Sequence, residues 1–111
     1  MNTLDDATLA KMVQAIVEKT DPDRVYLFGS RARGDARIDS DVDFLIVERG
    51  PFGSGRPRVE RINRVYDALA PFRVPTDVLV YSPEEVARWQ GSLNHVIGRC
   101  CREGKLLYER P

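Results

Sequence analysis

The chain has little sulfur and little imidazole. Its 111 residues hold two cysteines, Cys100 and Cys101, and one histidine, His95. Adjacent cysteines are badly placed to bridge each other, and without a third there is neither a disulfide framework nor a zinc-type spacing. Apolar runs are short; none approaches the roughly 20 residues that span a bilayer. The opening MNTLDDATLAK lacks the basic and apolar regions of a secretion signal. Net charge is also missing: 17 Lys and Arg balance 17 Asp and Glu. Whole-molecule electrostatics therefore draws the chain to neither nucleic acid nor membrane, and binding of that kind would need a local patch. These absences suit a reduced, cytoplasmic setting with no membrane partner.

What is present is ordinary for a folded domain. Hydrophobic residues make up 42% and charged residues 31%, and the length supports one modest core, so residues 1–111 read as a single domain. Leu9, Met12, Val13, Ile16 and Val17 predict an amphipathic helix that starts near Asp5 or Asp6 and stops before Pro22. Val25–Phe28, Val42–Val47 and Thr76–Tyr81 read as strands, rich in β-branched and aromatic residues. Val59, Ile62, Val65, Tyr66 and Leu69 predict a second helix ending before Pro71. Ser82-Pro83-Glu84-Glu85 is a helix start with a capping Ser, Pro at the first position and Glu three residues after the cap. Leu93, Val96, Ile97 and Cys100 outline a last helix closed by Gly104, with Leu106–Tyr108 as a short edge strand. The order predicts an α/β fold, a small mixed sheet packed against helices.

The segment FGSRARGDARIDSDVDFLIV (28–47) is not explained by core building. Alternation along a strand puts Asp41 and Asp43 on one face, roughly 6.5–7 Å apart. Unpaired, they repel each other, and a bound divalent cation removes that cost. Oxygen ligands with no His or Cys nearby favour Mg²⁺ or Mn²⁺ over Zn²⁺. Asp77 joins them if its strand lies beside theirs, and three such aspartates can hold two ions about 3.5–4 Å apart. Asp39-Ser40 reads as turn chemistry. Gly29-Ser30, after a buried strand and before a short helix over Ser30–Gly34, offers backbone N–H groups and a hydroxyl to phosphate, with Arg31 and Arg33 as charged helpers.

Gly29-Ser30, ten residues, then Asp41-Val42-Asp43 resembles the G-S-x10-D-x-D signature of the DNA polymerase β-like nucleotidyltransferase superfamily. Shortness, the wording of 28–47, the helix before it and the closing REGKLLYE are similar to the minimal nucleotidyltransferases. Members of that group are commonly antitoxins paired with a HEPN-domain toxin, and use ATP and Mg²⁺ to transfer AMP onto a toxin tyrosine. The resemblance implies the polymerase β-like fold, with two Mg²⁺ ions held by Asp41, Asp43 and Asp77. It also implies that Asp77 can accept the proton of the attacking hydroxyl, that Gly29, Ser30 and Arg31 or Arg33 hold the phosphates, and that a complex with the toxin forms. Two other readings stand beside this one: neutralisation of the toxin by binding alone, and nucleotidyl transfer to a different substrate.

Other features are weighed more plainly. GPFGSG (50–55) lacks the spacing of a dinucleotide fingerprint and reads as a loop. Arg49, Arg56, Arg58, Arg61 and Arg64 form a basic stretch, either a solvated helix face or a grip for triphosphate, RNA backbone or an acidic partner. His95 is expected in a structural or surface role, and Trp89 and Tyr66 in packing.

Overall fold

The computed structural model describes residues 5–37 and 40–111; Asp39 lies outside them. Helix α1 (Asp6–Thr20) begins where the Asp5 carboxylate accepts the Thr8 N–H at 2.7 Å, and ends at Asp21 in the left-handed region, just before Pro22. Strand β1 (Arg24–Phe28) leads through the single-turn helix α2 (Ser30–Arg33) to β2 (Val42–Val47). Helix α3 (Arg58–Leu69) and a 3₁₀ turn over Ala70–Phe72 carry the chain to β3 (Thr76–Tyr81). Then follow α4 (Pro83–Trp89), α5 (Val96–Glu103) and β4 (Lys105–Glu109).

The four strands form one sheet in the order β3-β2-β1-β4. β1 runs antiparallel to both β2 and β4, and β2 runs parallel to β3 through the α3 crossover. This is the small mixed α/β sheet that the pattern predicts, and its helices cover both faces. Val25, Leu27, Phe44, Ile46, Val78 and Val80 pack with Met12 and Ile16 of α1 and Val65 and Leu69 of α3. On the opposite face, Leu45 and Val47 pack with Val86 of α4 and with Ile97 and Cys100 of α5. β2 is buried from both sides, which is why its apolar residues run on from Phe44 to Val47 instead of alternating with polar ones.

Local chemistry sets the helix starts. Ser82 accepts the Glu85 N–H, and the Glu85 carboxylate accepts the Ser82 N–H in return, completing the predicted capping box. His95 caps α5: its Nδ1 accepts the Ile97 N–H at 3.1 Å, and its ring stacks on Trp89 at 4.6 Å. The sole histidine is thus a structural group, as expected. Two apolar residues depart from the predicted helix faces. Val59 is 62% exposed on α3, and Leu93 is 79% exposed ahead of α5, which begins only at Val96. Neither lies on the stripe that meets the sheet. Tyr66 is partly exposed, and its hydroxyl accepts the N–H of Val78 on the edge strand β3 at 3.2 Å.

The basic stretch turns inward, toward carboxylates of the same chain. Arg61 Nε lies 2.7 Å from the buried carboxylate of Glu48, and Arg56 approaches the same oxygen at 3.2 Å. Arg58 forks onto Glu85 with contacts of 2.9 and 2.7 Å, donates to the Val80 carbonyl and lies over the rings of Phe52 and Tyr81. That fork holds the Glu85 carboxyl down at about 2. Arg49 pairs with Asp23, and Arg64 with Glu60 one helical turn away. Neither a solvated face nor a free grip describes this set, because carboxylates outside α3 claim four of the five and Arg64 alone pairs along its own helix.

Burial separates the pairs in energy. Arg61→Ala would leave Glu48 buried with only Arg56, and is expected to cost about 3 kcal/mol. Arg64→Ala breaks an exposed i,i+4 pair and should cost less than about 0.5 kcal/mol. Urea denaturation of both variants measures the contrast; equal losses would refute it.

Candidate active site

The site residues come together at one end of the sheet, where β1 stops and β2 and β3 begin. In the parallel register Asp43 lies opposite Asp77, and in the antiparallel register it lies opposite Phe28, the last residue before Gly29. Neighbouring strands are roughly 4.8 Å apart, so adjacent in-register side chains on one face must meet. Asp43 and Asp77 alternate with Phe44 and Val78, and so share the face covered by α4 and α5. Val42 N–H donates to the Pro75 carbonyl at 2.9 Å and fixes where this pairing begins.

Gly29 turns the chain at φ +74°, a conformation that suits a residue without Cβ. Space demands glycine as well, since a Cβ here would sit 2.1 Å from Asp43 Oδ2. The first carboxylate of the strand therefore lies directly against the Gly29-Ser30 turn. The Gly29 carbonyl accepts the N–H groups of Ala32 and Arg33, each at 3.1 Å, and Ala32 is buried in the core, so α2 is anchored over the end of β1.

Burial first, then the charge and hydrogen bonding of the neighbouring Asp77 and the charge of Asp41, together push the Asp43 carboxyl up to about 6. Arg33 acts on Asp43 in the opposite direction. Asp41 and Asp77 are exposed, and Asp43 is half-buried between them. Among the described residues no three His, Cys, Asp or Glu side chains stand as a ready-made metal-ligand group. The donor chemistry nonetheless fits a hard divalent cation. Carboxylate oxygens face one another, and the charge that burial and repulsion now disfavour at Asp43 is the charge a cation would stabilise.

The two arginines of the turn diverge. Arg33 is exposed, pairs with Asp35 at 3.3 Å, and its charge reaches Asp43. Arg31 Nη2 donates instead to the Ser40 carbonyl at 2.7 Å. Its side chain lines a cavity of about 320 Å³ together with Leu9 of α1 and Leu107 of β4, on the sheet face away from Asp43. Cys100 lies behind the site, its thiol pushed up to about 12 by burial with smaller contributions that include Asp43, so it is a packing group and not a nucleophile. Sequence reasoning missed the Pro75 and Ser40 carbonyls, whose roles depend on backbone position and carry no side-chain signal.

Residues 9–88 match the family model of a nucleotidyltransferase domain. Among solved structures, a proposed nucleotidyltransferase from Sulfolobus solfataricus is 24% identical, with 92% of this chain aligned to 78% of that one at a TM-score of 0.56. A toxin–antitoxin complex with AMP-PNP is 19% identical over 91% of this chain and 73% of that one, with a TM-score of 0.56. A mutant of the toxin–antitoxin pair MntA–HpeT is 18% identical over 97% and 75%, with a TM-score of 0.59. Among curated proteins none matches.

The raised Asp43 carboxyl sets a stability test. Relative to the unfolded value of 3.8, a folded value near 6 means that stability present at low pH is lost as pH rises through about 6. Without divalent cations, Asp43→Asn is therefore expected to melt higher than wild type at pH 7.5, and the gap should close toward pH 4. Adding Mn²⁺ should raise the wild-type melting temperature and leave that of Asp43→Asn unmoved. A variant that melts lower than wild type at pH 7.5 would contradict this account.

Proposed function

The chain belongs to the nucleotidyltransferase domain family, and from that membership we propose that it transfers AMP from ATP to a tyrosine hydroxyl of a cognate HEPN-domain toxin, acting as its antitoxin. The observation that carries the reading is the in-register Asp43–Asp77 pair lying against the Gly29-Ser30 turn. Carboxylates that attract cations and a turn that accepts phosphate are within reach of one nucleotide.

In this proposal Asp41, Asp43 and Asp77 hold Mg²⁺, two ions in the full site, with Mn²⁺ as a substitute. Bound there, the cations neutralise charge on the triphosphate and on the entering and leaving oxygens. Gly29 and Ser30 present backbone N–H groups and a hydroxyl to the β- and γ-phosphates, and Arg33 adds its charge. The toxin hydroxyl oxygen attacks the α-phosphorus, its proton passes to Asp77, and the bond to the bridging oxygen breaks to release pyrophosphate. Positioning and charge neutralisation supply most of the acceleration.

The toxin–antitoxin neighbours, one of them with AMP-PNP, support the partner and nucleotide classes. One sheet with a core on each face supports reading residues 1–111 as a single domain. Unbridged cysteines suit a cytoplasmic setting, and among the described residues no helix is long and apolar enough to cross a membrane.

Incubation with the product of the neighbouring gene, ATP and Mg²⁺, followed by intact mass spectrometry, tests the proposal. The partner is expected to gain one or more AMP units, and Asp41→Asn with Asp43→Asn is expected to abolish the gain. Neutralisation by the double variant, with no mass change caused by wild type, would show that binding alone silences the toxin.

A further inference from the structure

Resting on that reading of the site, we propose that Arg31 is a positioning residue and not a phosphate ligand: its guanidinium fixes Asp41 by holding the carbonyl of the residue before it. Asp41 is exposed at the mouth of β2, so the direction of its carboxylate depends on how firmly its backbone is held. After it, the Val42 N–H is tied to the Pro75 carbonyl at 2.9 Å. Before it, the Ser40 carbonyl accepts from Arg31 Nη2 at 2.7 Å. Ser40 is also locked locally, because its N–H donates to the Arg37 carbonyl at 3.0 Å and its hydroxyl accepts the Arg37 N–H at 2.8 Å. Arg31 thereby ties Ser40 to helix α2 and the end of β1.

Two further observations commit the side chain to that role. Arg31 Nε is buried without a hydrogen-bond partner, so the guanidinium accepts an unsatisfied donor in order to reach Ser40. Arg31 also lines the cavity toward α1 and β4, whereas Asp43 and Asp77 occupy the other face of the sheet. Arg33, whose charge does act on Asp43, remains for the phosphates. The pair RAR thus divides into one arginine for the metal-side backbone and one for the nucleotide.

Nucleotide-free Mn²⁺ titrations by electron paramagnetic resonance, run on the full chain with melting curves alongside, test this. Arg31→Met keeps the stem and removes the donors, and is expected to weaken Mn²⁺ binding about 10-fold or more, the loss usual when a supporting hydrogen bond is cut. Arg31→Lys keeps one donor and should fall between Arg31→Met and wild type; it carries the test if the Met variant does not fold. Mn²⁺ affinity equal to wild type in a folded variant, with only ATP binding weakened, would overturn the proposal and return Arg31 to the phosphates. Absence of Mn²⁺ binding in wild type itself, or an Asp43→Asn titration identical to it, would overturn the cation-site reading beneath it.

Discussion

The parallel pairing of β2 with β3 is the constraint on which the site depends. It places Asp43 opposite Asp77 in exact register, a juxtaposition that no fold would choose for stability, since like charges facing each other across a ladder are unfavourable. The cost is tolerated because everything else about β2 is secure. It is the most buried strand, paired on both sides and packed on both faces. A one-residue slip would send Phe44 and Ile46 to the wrong face along with the carboxylates. The core thereby enforces the register that brings the two aspartates together.

Elsewhere the molecule directs its positive charge inward. Glu48 draws Arg56 and Arg61, and Glu85 draws Arg58, so much of the basic stretch is bound within the fold. The aspartate cluster therefore keeps its negative character, with Arg33 as the cation that acts directly on Asp43. A chain with no net charge can in this way carry a locally acidic point at one end of its sheet.

Much of this was legible in the sequence. β2 and β3 fall where β-branched runs predict them, and the capping box at Ser82 is as read. The alternation that puts Asp41 and Asp43 on one face is also the one that aligns Asp43 with Asp77 once the strands pair. The edge strand near Leu106 is present as β4, beside β1. What could not be read depends on distance in space. Glu48 and Arg61 are 13 residues apart, and nothing in their spacing marks a buried pair. Val59 and Leu93 have apolar side chains without apolar positions, because helix phase and helix start are fixed by tertiary packing. Arg31 and Arg33 look equivalent on the page, yet one reaches the Ser40 carbonyl and the other pairs with Asp35.

The hydroxyl of Tyr66 protects part of the sheet's border. β3 lies at the border of the sheet, and a bordering strand offers its backbone to any chain that can add alongside. By capturing the Val78 N–H, Tyr66 removes a docking rung in the middle of that border, and α3 shields it. The strand that carries Asp77 is thus guarded at one backbone rung of its outer side.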